Sequence, residues 1–270
     1  MMEDKLQKLI AATGMSSRRE AEKWIEQGRV SVNGTIATLG DRASAKDKIR
    51  IDGKLIKLSD KKEFIRRLIT YHKPVGEVCT RKDPENRPTV FDNLPSIRNG
   101  RWLNIGRLDI NTSGLLIFTN DGELANRLMH PSYEVVRKYA VRVRGQVTDE
   151  MVKQLMQGIV LEDGMAKFET VQHAGGEGSN QWYHVSLKEG KNREVRRLWE
   201  SLGVQVSRLQ RIQYGPCSLL RSLRSGRWQE MTTSEINLFE DLVGLPRSIN
   251  QPAKINVRRK QTKKFMKARR

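Results

Sequence analysis

Asp109 is the residue whose type and setting most invite chemistry. It stands in GRLDINTSGLLIFT, residues 106–119, between Gly106-Arg107 and a Thr-Ser-Gly turn. The chain around it is strongly basic, with 50 Lys and Arg against 31 Asp and Glu and a formal net charge of +19. An ionised carboxylate can remove a proton or attack an electrophilic carbon. The bland alternative is a surface ion pair with Arg107. Other chemistries find less support. Cys79 and Cys217 form no CxxC pair, and the histidines at 72, 130, 173 and 184 are scattered. There is no GxxxxGKS/T, no HExxH and no strand-borne GxGxxG. Ordinary side chains are therefore expected to do the work, with no cofactor and no structural metal, in a reducing cytoplasm.

Two other stretches carry charge at telling positions. In EGKNREVRRL, residues 189–198, helical spacing over 193–202 puts Val195, Leu198, Trp199 and Leu202 on one face and Arg193, Arg196 and Arg197 on the other, with Arg196 nearest the boundary. A solvated basic face is the default, but arginines crowded at a helix N-terminus repel one another and the macrodipole, so an anionic partner is an alternative. KPVG at 73–76 reads as a loop, and such a turn taken alone is structural more often than functional. The net charge favours a polyanion, nucleic acid before an anionic membrane, because clustered cations displace the counterions of a phosphate backbone. No apolar run approaches the length of a membrane helix.

The elements that must position these residues fall into two units. At the N-terminus, Leu6, Leu9 and Ile10 share a helical face, Ser17-x-x-Glu20 caps a second helix, and Val30 and Val32 alternate into an Asn33-Gly34 hairpin followed by Ile49 and Ile51. After a charged bridge at 59–63, strands are predicted at 68–72, 102–106, 114–119, 138–143, 181–188 and 206–214. Helices are predicted at 123–130, 148–158 and after the Thr232-x-x-Glu235 cap, with Met151, Leu155, Met156, Ile236, Phe239, Leu242 and Val243 inward. This mixture predicts an α+β domain on a mixed, largely antiparallel sheet. GGEGSN at 175–180 reads as a flexible loop, and 247–270 as a disordered basic tail. The boundaries are 1–60, 61–246 and 247–270.

Residues 3 to about 58, with SRR-A, an acidic helix and a V-x-V-N-G hairpin, resemble the S4 RNA-binding domain. Residues 68–245 resemble the catalytic domain of pseudouridine synthases of the ribosomal small-subunit synthase A type, through KPVG, GRLDINTSGLLIFT and EGKNREVRRL in order. RPTVFDNLP at 87–95, DGELANRLMHPS at 121–132 and GGEGSNQWY at 175–183 look most like members that act on the large subunit. Leu198 stands where many relatives have Met, and PCSLLRSLRSG at 216–226 fits less well.

The resemblance implies isomerisation of uridine to pseudouridine, with Asp109 as the catalytic carboxylate, Arg196 pairing with it, and Tyr139 stacking on a base flipped from its helix. It further implies that Arg107, and Lys73 unless it is a structural loop lysine, hold a phosphate or the flipped nucleotide. The residues themselves make Ser16, Ser17, Arg18 and Arg19 the working surface of the first unit, unless those arginines only solvate a helix end, and make Arg193 and Arg197 RNA contacts if the basic face of their helix meets an anion. The partner is expected to be large-subunit ribosomal RNA or its assembly precursor, with no membrane and no small-molecule cofactor, and the protein a cytoplasmic monomer. The alternatives are a non-catalytic S4-type ribosome-associated RNA-binding protein, or the same enzyme acting on another ribosomal uridine.

Overall fold

The computed structural model describes residues 3–44, 46–58, 65–97, 100–178 and 180–248. The bridge at 59–63 and residues 249–270 of the basic tail lie outside them.

The first unit runs β1 (Asp4–Lys5), α1 (Leu6–Ala12), α2 (Arg18–Glu26), β2 (Val30–Val32), β3 (Thr35–Ile36), β4 (Arg42–Ala43), β5 (Ile49–Ile51) and β6 (Lys54–Leu55). Ser17 caps α2 by accepting from the Glu20 amide at 3.0 Å, and the apolar stripe of that helix joins Leu6, Ile10, Val30 and Ile49 in a small core. The strands form a β3-β2-β5-β6 sheet and a separate β1-β4 ladder.

In the second unit the order is β7 (Leu68–Lys73), β8 (Leu103–Ile105), β9 (Ser113–Thr119), α3 (Gly122–Met129), β10 (Arg137–Arg144), α4 (Asp149–Gln157), β11 (Ile159–Leu161), β12 (Gly164–Ala166), β13 (Thr170–Glu177), β14 (Asn180–Leu187), α5 (Glu194–Glu200), β15 (Gln205–Tyr214), β16 (Cys217–Ser218), β17 (Trp228–Glu230) and α6 (Thr233–Leu242). The main sheet has the order β13-β14-β10-β15-β9-β7-β17, with β8 on β9 and β16 on β15. Its pairings are antiparallel except β15 with β9. This is the expected mixed sheet of an α+β domain. One face packs against Leu155 of α4 and Val195, Leu198 and Trp199 of α5. The other packs against Leu124 and Leu128 of α3 and Ile236 and Phe239 of α6.

Three expectations are corrected. GGEGSN is not a loop throughout: β13 runs on to Glu177 and β14 begins at Asn180, the two paired with an irregularity between His173 and Gly176. A side chain at Gly176 would begin 2.4 Å from the Asn180 carbonyl oxygen, so glycine lets the two strands close. Met156 and Leu242, assigned inward positions, are 43% and 44% exposed. Each is one residue, about 100° around the helix, from a buried neighbour, Leu155 and Val243, that takes the inward position instead.

The central strands are held by one unusually close approach. Gly114, at φ +109°, places its Cα so near β15 that an added Cβ would lie 2.3 Å from the Arg211 carbonyl oxygen. Only glycine admits that contact. It fixes the start of β9, and with it the loop at 106–112.

Candidate active site

Asp109 lies in that loop, between β8 and β9, and is half-buried. The loop turns on a hydrogen bond from the Thr112 amide to the Asp109 carbonyl, 3.0 Å. Leu108 anchors it by packing into the core of the α4 and α5 face. The Asp109 carboxylate accepts no hydrogen bond from the described residues, unlike the ion-paired carboxylates elsewhere in the chain.

Lys73 braces the loop from beneath. Its ammonium is fully buried and donates to the carbonyls of Pro74 and Thr112, both at 2.9 Å. The Gly76 amide donates to the Ile110 carbonyl at 2.9 Å. KPVG is thus stitched to the Asp109 loop, and the assignment of Lys73 to a phosphate or nucleotide is corrected: it has no surface to offer one. Burial pushes its ammonium below the usual lysine range, opposed by Cys79, Glu77 and Asp109 in that order. Lys73→Met is expected to cost about 2 kcal/mol of stability, since it strands two buried carbonyls while relieving a buried cation. Urea unfolding of the variant checks this.

Arg196 braces the loop from above. It is buried on α5, and its guanidinium donates to the Val206 carbonyl at the start of β15 and to the Asn111 carbonyl, each at 3.0 Å. The expected ion pair with Asp109 is not formed within 4 Å. Arg196 holds the loop two residues further on and acts on Asp109 through space. Burial and then Arg193 push its pKa down, while the Asp109 and Glu200 charges oppose this. Its Nε is buried without a partner, as are the Thr112 hydroxyl and one Arg211 nitrogen.

Sheet register brings the remaining residues alongside. Tyr139 of β10 is opposite Arg211 of β15, Arg211 is opposite Gly114 of β9, and Gly114 is opposite Lys73 of β7. These four residues form one row across adjacent strands, about 14 Å from end to end at the usual strand spacing. Tyr139 packs on the same face as Leu108, Val195 and Leu198. Its hydroxyl makes no hydrogen bond to the described residues. Tyr139 and Leu108 of the Asp109 loop thus share the apolar cluster that packs α5, and Arg196 of that helix reaches the same loop at Asn111.

The other cations divide. Arg107, Arg18 and Arg19 are exposed and have no ion pair among the described residues, while Ser17 is occupied as a helix cap. Arg193 reaches Glu200 only loosely, at 3.8 Å. Arg197 is corrected as a free RNA contact: it pairs with both oxygens of Asp163 at 2.7 and 2.8 Å and donates to the Asn192 carbonyl. Arg211, which with Lys73 is a buried cation of the row, was missed as a candidate residue. Its signal lay in its place two residues after Leu209, which puts a charge on the inward alternation of a core strand.

Among the described residues, no helix is long and apolar enough to cross a membrane, and no group of three His, Cys, Asp or Glu could hold a metal ion.

Known proteins carry these features. Residues 4–49 match the S4 domain, and residues 67–201, which hold Lys73, Asp109, Gly114, Tyr139 and Arg196 but not Arg211, match the family described as RNA pseudouridylate synthase. A protein of Pseudomonas aeruginosa named ribosomal large subunit pseudouridine synthase B is 59% identical over 243 residues, covering 90% of this chain and 63% of its own length. The Salmonella typhimurium protein of the same name is 55% identical over 264 residues, covering 97% of this chain and 91% of its own. A crystal structure of a pseudouridylate synthase, 27% identical, matches 87% of this chain and 99% of its own with a TM-score of 0.61. The large-subunit names correct the small-subunit wording of the resemblance. With half its length in the synthase match and 55% identity to a relative spanned almost end to end, this chain belongs to the RNA pseudouridylate synthase family.

Proposed function

We propose that this chain isomerises a uridine of large-subunit (23S) ribosomal RNA to pseudouridine, with Asp109 as the reacting carboxylate. The observation that carries the reading is the Asp109 carboxylate itself, without an internal partner and set in a loop braced by Lys73 and Arg196, in a chain 55% identical to a named large-subunit synthase over 264 residues. The reaction breaks the bond from the sugar to N1 of the uracil, turns the base and rejoins it through C5. The C5 proton is given up and the freed nitrogen ends protonated, so no atom is gained or lost. An ionised carboxylate suits either attack on the sugar carbon or removal of a sugar proton.

Tyr139 would take the flipped base on its ring, replacing stacking lost when the nucleotide leaves the helix. Tyr139→Phe is expected to stay within a few-fold of wild type, and Tyr139→Ala to lose roughly 10- to 100-fold. Equal losses in a single-turnover assay would assign the role to the hydroxyl instead. Arg107, Arg18, Arg19 and Arg193 are the phosphate contacts in this reading, the chain divides at residues 60 and 246, and the protein acts as a cytoplasmic monomer. Mapping pseudouridines in ribosomal RNA from cells with and without the protein tests the proposal. Loss of one large-subunit site, restored by the gene, supports it; an unchanged map supports a non-catalytic RNA-binding protein.

A further inference from the structure

The stretch at 216–226, which fits the family pattern less well, and Arg227 beside it carry arginines that the site leaves unused. Arg221, Arg224 and Arg227 lie within seven residues, all exposed, and none makes a side-chain hydrogen bond or ion pair among the described residues. Arg66, Arg67, Arg87, Arg127 and Arg197 are each held by a carboxylate, whereas these three, like Arg18, Arg19 and Arg107, are left open to an anionic partner.

The loop that carries them is firmly built. The Leu219 amide donates to the Ile212 carbonyl at 2.8 Å, Leu223 to Leu220 at 3.0 Å, and Arg227 to Arg224 at 3.1 Å. Leu223 is buried as its anchor. His72 then clamps it: the His72 amide donates to the Arg227 carbonyl at 2.9 Å, and the Gly226 amide donates to the His72 carbonyl at 2.7 Å. The His72 ring bonds the Leu223 carbonyl through Nδ1 at 2.8 Å, while its Nε2 meets Gln210 at 3.2 Å. His72 immediately precedes Lys73, and Gln210 immediately precedes Arg211. The clamp therefore sits next to the row that supports the Asp109 loop.

We propose that residues 219–227 form a preorganised contact for the RNA backbone, in which Arg221, Arg224 and Arg227 bind phosphates of the substrate strand flanking the nucleotide at Asp109. Three unpaired guanidinium groups on an ordered loop bind phosphate with little ordering cost, and they add affinity without reading sequence. The inference rests on RNA being the substrate, and is tested by binding instead of turnover.

The full-length chain is titrated with a transcript of large-subunit ribosomal RNA over a range of salt concentrations, as wild type and as the triple variant Arg221→Gln, Arg224→Gln, Arg227→Gln. The variant is expected to bind roughly 10- to 100-fold more weakly near physiological salt, with the slope of log affinity against log salt flatter by about 2 to 3. Its single-turnover rate at saturating protein should stay within about two-fold of wild type, because binding and not chemistry is altered. The matching Lys triple variant keeps the charge and should keep the salt slope. Unchanged affinity and slope in the Gln variant would overturn the proposal, as would equal loss in the Lys variant, which would mean that loop structure and not charge was damaged. A wild-type chain that makes no pseudouridine yet binds RNA with this arginine-dependent slope would sink the catalytic reading and leave this one standing.

Discussion

Asp109→Asn is expected to lower pseudouridine formation on the order of 10⁴-fold or more, with fold and RNA affinity unchanged. Asparagine fills the same space but cannot attack a carbon or take a proton at neutral pH. The structure gives a reason for the stability to hold. The Asp109 carboxylate accepts no hydrogen bond from the described residues, whereas the loop is fixed by its backbone, through the Thr112 amide to the Asp109 carbonyl and Lys73 to the Thr112 carbonyl. The substitution deletes the reactive group and leaves those bonds in place. Thermal unfolding and RNA titration of the variant should match wild type. A variant that loses activity only because it unfolds would contradict this.

Arg196→Leu is expected to be the next most damaging change, with a loss on the order of 10³-fold together with lower stability. Leucine fits the apolar side of α5 but leaves the Val206 and Asn111 carbonyls without their donor, each worth about 1–3 kcal/mol when stranded. The Asn111 carbonyl belongs to the Asp109 loop. A shift of about 1 Å in a reacting group can itself cost about 10²-fold, and loss of Arg196 removes a buried cation that, like Lys73, interacts with the charge of Asp109. Arg196→Lys should recover part of the rate by bonding one of the two carbonyls. Equal loss in Lys and Leu would mean that the two-armed geometry is essential; wild-type turnover in Leu would remove Arg196 from the site.

The fold was legible where a periodic pattern ran long enough to declare itself. Leu68–Lys73 and Ser113–Thr119 are apolar runs of strand length, and Thr232 with Glu235 forms the reciprocal cap that its spacing predicts. β1, β4 and β16 have two residues each and β11, β12 and β17 three, too few for periodicity to register. The glycines at 175, 176 and 178 suggested a loop because strands usually avoid glycine, but here they take positive φ and form the irregular part of a hairpin.

The site was legible by residue type and misread in its contacts. Lysine is rarely fully buried without a carboxylate, and the partners of Lys73 are backbone carbonyls, which leave no mark in a sequence. Arg197 and Asp163 are paired across 34 residues, and no local pattern announces that. Arg196 was correctly drawn to the Asp109 loop but assigned to the carboxylate, when the bond goes to Asn111. That Tyr139 shares a packed face with Leu108 of the Asp109 loop depends on the β10-β15-β9 strand order, a property of topology and not of spacing.

The most direct measurement is single-turnover conversion of uridine in a large-subunit ribosomal RNA transcript by wild-type and Asp109→Asn protein, both in excess over RNA so that all of it is bound, with nucleosides separated after digestion. Pseudouridine should accumulate to one residue per transcript with wild type and stay at background with the variant. Product formed by Asp109→Asn at the wild-type rate would contradict the assignment of Asp109 as the reacting carboxylate.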